Sequence, residues 1–299
     1  MKIIFMGTPD FAVPVLEALC QNHEVVAVYT RAPKESGRGK KLTKTPVHIL
    51  AESKGIPVHT PKSLKGEDEQ QIMRAYKADL GIVAAYGLLL PQAVLDMFPT
   101  GCINVHASLL PRWRGAAPIE RSIEAGDKKS GISIMQMVAA LDAGDVFSQK
   151  AVEITHTMTG GELKKKLSEV GAKLLIETLD KLHNITPQKQ DENLVTYAHK
   201  IEKSESLIDF KIEAEKLLNK IRAFTPEHTM YFMHNNERFK IHEAEIYQGN
   251  GEAGQFLKTD KELVIATKDS AIKVTKIQRE GKQPMPTADL LRGFKFASN

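Results

Sequence analysis

The chain has 299 residues, enough for one large domain or two ordinary ones, and 42% of them are hydrophobic, so a sizeable core can form. No run approaches the roughly 18 apolar residues of a membrane helix, and two cysteines, Cys20 and Cys102, supply no disulfide framework. The net charge of +4 permits an acidic partner without requiring one. MKIIFMGTPDF enters a strand and turn with no cleavable signal before it, so a reducing cytoplasm is the expected location.

Lys2 to Met6 reads as a buried first strand. Gly7-Thr8-Pro9-Asp10 is a strand-to-helix turn, with Thr8 as a candidate cap and Pro9 in the first helical turn. Phe11 to Leu19 continues as an apolar helix, and Val25 to Tyr29 as the second strand. This opening predicts a parallel sheet. A GxGxxG turn is missing, so a dinucleotide reading is weak. Arg31 to Lys44 carries six positive side chains against one acid, Glu35, with Gly37 and Gly39 flanking Arg38. An isolated run of this kind is commonly a solvated loop, here expected to be exposed and mobile.

Helices are expected over Pro46 to Lys54, Glu69 to Lys77 and Pro91 to Met97, with strands at Ile56 to Thr60 and Leu80 to Ala85. Ile119 to Ala125 reads as a helix, Gly131 to Met137 and Val146 to Ile154 as strands, and Thr159 to Leu182 as a long amphipathic helix. His183 to Thr196 loses periodicity. An α/β domain is therefore expected over residues 1–184, a linker over 185–205 and a second domain over 206–299. Ile212 to Phe224 is helical; five short strands follow, with Asn235-Asn236 as a hairpin turn. They suggest a small OB-like barrel.

The chemistry gathers in GCINVHASLLPRWRGAAPI, Gly101 to Ile119. Cys102 to His106 alternates as a strand does, so Asn104 and His106 project from one face and Ile103 and Val105 from the other. A lone histidine beside a strand is commonly a core residue, but a polar pair at a strand end is costly to bury without a task, and open α/β sheets place ligands there. Cys102 with His106 lacks the CxxC or HxxxH company of a metal site. His106-x-Ser108 has no GxSxG elbow behind it.

Five motifs together resemble the folate-dependent formyltransferase family, in its branch acting on methionyl-tRNA: GTPDFAVPVL at Gly7 to Leu16, SGRGKKL at Ser36 to Leu42, AYGLLLP at Ala85 to Pro91, NVHASLLPRWRGAAPI at Asn104 to Ile119, and ISIMQM with LDAGD within Ile132 to Asp145. The resemblance covers nearly the whole chain. It implies 10-formyltetrahydrofolate as formyl donor, initiator methionyl-tRNA as acceptor, no metal, and a monomer. When an amine attacks a formyl carbonyl, the site needs a donor for the developing oxyanion, a proton acceptor and an orienting group. The resemblance carries over Asn104, His106 and Asp142 as this trio, with Asp145 as the local competitor for the carboxylate. Whether Asp142 takes the proton itself or polarises His106 or a water stays open.

The resemblance also places folate beside Tyr86, Gly87, Leu88 and Leu89, and beside Ser108, Leu109, Leu110 and Pro111. It assigns Arg38, Lys40 and Lys41 of the basic loop to tRNA, and the second domain likewise. In one place the chain departs from its relatives: Ile221-Arg222-Ala223-Phe224 runs into Thr225-Pro226-Glu227-His228, where the family commonly has Asn-Pro-Trp-Pro. Relatives acting on sugar amines or glycinamide ribonucleotide, and an RNA-binding module on an inactive α/β domain, are the competing readings.

Overall fold

A computed structural model describes residues 1–36 and 41–296. Its first sheet has seven strands: β1 Lys2–Gly7, β2 Glu24–Tyr29, β3 Val58–His59, β4 Leu80–Ala84, β5 Cys102–His106, β6 Lys129–Gln136 and β7 Val146–Glu153. Their order across the sheet is β7-β6-β5-β4-β1-β2-β3. Pairing is parallel from β3 through to β5, and β6 runs antiparallel to β5. A parallel sheet is buried on both faces, which is why Ile3, Ile4, Phe5 and Met6 form an unbroken apolar run with no exposure. The chain steps outward from β1 to β2 and β3, then returns to add β4 and β5 on the other side. The switch lies between β1 and β4, where sheets of this kind open a crevice at their C-terminal ends.

The helices before residue 180 are α1 Val13–Asn22, α2 Pro46–Ser53, α3 Glu67–Ala75, the short α4 Gln92–Leu95, α5 Pro118–Glu124 and α6 Gly160–Leu179. Thr45 caps α2 by accepting from the His48 amide at 3.1 Å. Thr8 is not the cap expected of it: its hydroxyl donates to the Tyr86 carbonyl at 2.9 Å and ties the turn after β1 to the turn after β4.

In the second part, α7 Ala214–Phe224 precedes a six-stranded sheet of β8 Tyr231–His234, β9 Glu237–Tyr247, β10 Phe256–Lys258, β11 Leu263–Ala266, β12 Ala271–Arg279 and β13 Met285–Pro286, and α8 Thr287–Leu291 follows. The strand path is β8-β9-β12-β11-β10, with β13 on β12. Asn235 and Asn236 both have positive φ, 49° and 61°, as a two-residue hairpin of matching twist requires. Register shifts between Ile241 and Ala244 bend β9, so the sheet curls. Among the described residues its end strands do not pair with each other, so the small OB-like barrel that the strand count suggested takes the form of a curled half-barrel. The altered segment after α7 closes on itself: Thr225 donates to the Ile221 carbonyl and Thr229 to the Pro226 carbonyl.

Two compact units emerge, and their segments alternate along the sequence. One comprises residues 1–115, 130–153 and 164–197, the other 116–129, 154–163 and 198–299. This differs from a single boundary at 184 followed by a linker. The stretch after 184 loses periodicity because it is held by individual polar contacts instead of an apolar face. Gln188 exchanges two backbone hydrogen bonds with Val146, both 2.8 Å, and a 3-10 turn spans Glu192–Leu194.

Candidate active site

β5 is the keystone. Its register sets Asn104 beside Val83 of β4 and Met135 of β6, and His106 beside Ser133. Cys102, Asn104 and His106 share a face, as the alternation predicts. Burial pushes the Cys102 thiol up to about 12, so it stays protonated and is a poor metal ligand. Asn104 is half-buried, and its amide has no hydrogen-bond partner among the described residues.

His106 is 5% exposed, and each of its ring nitrogens faces an oxygen. Nε2 lies 2.9 Å from the Trp113 carbonyl oxygen and therefore carries the ring proton. In the neutral ring Nδ1 is then the lone-pair nitrogen, and it faces Asp142 Oδ2 at 3.7 Å. That distance suits an ion pair once His106 gains a second proton, and is too long for a hydrogen bond. Asp142 Oδ2 also accepts from the Gly115 amide at 2.8 Å. Asp142, rather than Asp145, is thus the carboxylate that meets the histidine.

The backbone around this pair is unusual. Asp142 has φ +46° and Trp113 φ +66°, left-handed values that L side chains seldom adopt and that collect at functional sites. Gly115 has φ +122°, open only to glycine. At Gly144 a Cβ would overlap the Gln136 carbonyl.

The turn Ser108–Pro111 is fixed from the neighbouring strands. Ser133 donates to the Ser108 carbonyl at 2.7 Å and accepts from the Leu110 amide at 3.0 Å; Gln149 donates to the Leu110 carbonyl at 2.8 Å. Ser108 is fully buried and its hydroxyl is spent on the Arg112 carbonyl. Leu110 is buried, and Leu109 and Pro111 are half-buried. In the other loop Tyr86 belongs to the core, with its hydroxyl buried and unpartnered. Gly87 is exposed, Leu88 half-buried and Leu89 81% exposed. Of these eight residues Leu89 therefore offers the largest free apolar surface. Arg38 and Lys40 lie outside the described residues. The basic segment around them pairs Lys34–Ser36 with Lys41–Thr43, and Lys44 is engaged by Glu52 at 2.7 Å.

The sequence of residues 1–179 matches the formyl transferase family, and residues 200–295 match the formyl transferase C-terminal domain. The chain belongs to the formyl transferase family. It is 49% identical over 294 residues to the methionyl-tRNA formyltransferase of Novosphingobium aromaticivorans, covering 98% of this chain and 97% of that one. Among solved structures, it resembles the methionyl-tRNA formyltransferase from Clostridium thermocellum with a TM-score of 0.57 at 20% identity, covering 84% and 95% of the two chains. HypX from Aquifex aeolicus, solved in complex with tetrahydrofolic acid, resembles it with a TM-score of 0.63 at 17% identity. That match covers 97% of this chain, which spans about half of HypX, 47%.

In this formyl transferase, sequence reasoning missed a group of residues around the His106–Asp142 pair. Gln190, Glu192 and Thr196 fall in the stretch read as linker, yet they run beside Trp113 and Arg114. Thr196 accepts from the Trp113 amide through Oγ1 and from the Arg114 amide through its carbonyl, both at 2.9 Å. Arg114 is 3% exposed, and its guanidinium meets Gln190 and Glu192. The arginine in a Pro/Gly-punctuated turn was the one available signal, since such a charge, once buried, needs a carboxylate somewhere. Which carboxylate is not written in local pattern.

Among the described residues, Glu120, Glu227 and His228 bring one ligand atom each within 4.8 Å of the others. They belong to the second unit, whereas His106 and Asp142 belong to the first.

Proposed function

We propose that the protein transfers the formyl group of 10-formyltetrahydrofolate to the amino group of methionine on initiator methionyl-tRNA. The observation that carries this is near-full-length likeness, at 49% identity, to a methionyl-tRNA formyltransferase, combined with a histidine and a carboxylate poised 3.7 Å apart at the end of β5. Folate supplies the formyl group on a nitrogen that can leave. The residues present can supply apolar walls for the rings of such a donor: Leu89, Val138 and Leu141, in the loops after β4 and before Asp142, are 81%, 42% and 55% exposed.

The roles follow from the hydrogen-bond inventory. Asn104 has an unclaimed amide, so it can donate to the charge that develops on the formyl oxygen. His106 is pinned as its Nε2–H tautomer, so Nδ1 is the atom that accepts the proton released by the attacking amine. Asp142 is oriented by the Gly115 amide and balances the imidazolium that results. His106 then gives the proton to the departing nitrogen. One proton satisfies the pair, because a lone pair otherwise faces a carboxylate.

Arg38, Lys40 and Lys41 are read as phosphate contacts for the tRNA, together with the curled sheet. No helix among the described residues is long and apolar enough to cross a membrane. Two free cysteines fit the reading of a cytoplasmic enzyme, and we read it as monomeric.

The deciding experiment offers the purified chain 10-formyltetrahydrofolate with charged initiator tRNA, and separately with amino sugars. Formylmethionyl-tRNA is the expected product. Formylated sugar with untouched tRNA would replace this function by another of the same family. Sedimentation at working concentration checks the monomer.

A further inference from the structure

Asp142 holds a left-handed backbone conformation, φ +46°, that is unfavourable for an L residue. Such a conformation persists only where its surroundings over-determine it. Apolar packing does not supply that here, since Leu141 beside it is 55% exposed and Asp142 itself is only partly covered.

What grips the turn is Gln190. Its Nε2 donates to the Asp142 carbonyl at 2.8 Å and to the Gly144 carbonyl at 2.7 Å, so the two hydrogens of one amide hold both ends of the turn. The Gln190 amide oxygen accepts from Arg114 Nε at 3.0 Å. This fixes the amide orientation: rotated by half a turn, it would set NH2 against the guanidinium and oxygen against two carbonyls. Arg114 is held in turn by Glu192, at 2.7 Å through Nη2 and 3.3 Å through Nη1.

The linkage closes on the reacting pair. Trp113, just before Arg114, accepts from His106; Gly115, just after it, donates to Asp142. Three consecutive residues thus hold the histidine, the carboxylate and, through Gln190, the backbone that presents the carboxylate.

We propose that Gln190 is a positioning residue, the strut that fixes Asp142 opposite His106, with Arg114 and Glu192 aiming it. The inference rests on the formyl-transfer reading above. Gln190 touches neither substrate in this role, so its loss should fall on turnover and not on binding. A shift of a reacting group by about 1 Å can cost on the order of 100-fold.

The test compares the full-length chain with Gln190→Ala and Gln190→Glu. In Gln190→Ala, kcat for formyl transfer is expected to fall roughly 10- to 100-fold, with KM for folate donor and tRNA each within about twofold. Amide hydrogen exchange over residues 138–145 should quicken while that of β1 and β4 does not. Gln190→Glu keeps the length and gives Arg114 a stronger partner, but it sets a carboxylate oxygen against two carbonyls. It should lose at least as much activity as the alanine variant.

The proposal is overturned if Gln190→Ala keeps kcat within twofold, if the loss sits in KM, or if Gln190→Glu works as well as the parent. Should the parent itself transfer no formyl to tRNA, the functional reading fails instead. The exchange rates, read on the protein alone, still judge the strut: unchanged exchange in Gln190→Ala rejects it.

Discussion

His106 Nδ1 and Asp142 Oδ2 face each other at 3.7 Å, while His106 Nε2 gives its hydrogen to the Trp113 carbonyl. Under the mechanism proposed above, this pair receives a proton. A tautomer fixed by main chain does not depend on which substrate is bound, so in the proposed mechanism the accepting nitrogen is set before the substrates arrive.

Removing either partner tests this directly. Asp142→Asn keeps the shape and a hydrogen-bond acceptor for Gly115 but cannot balance an imidazolium. His106→Ala removes the acceptor altogether. Each is expected to lower single-turnover formyl transfer by roughly 100-fold or more, with circular dichroism and tRNA affinity unchanged. Turnover near that of the parent in either variant removes that residue from the mechanism.

Gly144→Ala probes the turn from its other end. The added methyl would meet the Gln136 carbonyl, and Gln136 also donates from its amide to the Asp145 carbonyl at 2.8 Å. The turn must shift, carrying Asp142 with it. Activity should fall by about tenfold or more and stability by about 1–3 kcal/mol, measured by urea titration. An alanine variant with normal kcat means the turn can relax without moving the carboxylate.

The second unit contains a pH-sensitive pair. Arg121 grips Glu205 with two bonds, 2.8 and 2.9 Å. That grip pulls the Glu205 carboxyl down to about 2. A depressed carboxylate contributes stability above its unfolded value and loses it as pH falls through the folded one. The contribution should therefore be complete at neutral pH and fade between about pH 4.5 and 2. Glu205→Gln is expected to cost on the order of 1–3 kcal/mol at pH 7, as for a partly buried charged hydrogen bond, and much less at pH 3. A penalty of equal size at both pH values would show that the pair acts through packing.

Arg38→Ala addresses the basic loop. If that loop grips tRNA phosphates, KM for the tRNA rises several-fold, the salt dependence of binding weakens, and the folate KM holds. An unchanged tRNA affinity and salt slope would leave the loop as a solvated surface.

Local order was legible because it follows from spacing. The apolar run of β1, the alternation of β5 and the Asn235-Asn236 turn each depend on residues a few positions apart, where period and chirality leave few options. The Asn104/His106 face followed from the same alternation, and the preference for Asp142 over Asp145 came from the family motif, with geometry then pairing it to the histidine. Thr8 was misread for the reason the rest succeeded: its partner, the Tyr86 carbonyl, is 78 residues away, and no local rule reaches that far.

The same limit explains the strut and the units. Gln190 meets Asp142 across 48 residues, and Glu192 meets Arg114 across 78. A polar side chain in an aperiodic stretch has the same local signature whether it waves in solvent or holds a catalytic turn. Only the folded chain assigns it a partner, because hydrogen bonds are short and directional while sequence separation carries no distance. Residues 116–129 and 154–163 likewise joined the second unit through packing that periodicity does not encode. Pattern sets which elements exist and which face of β5 carries the chemistry; long-range geometry sets what holds that chemistry still.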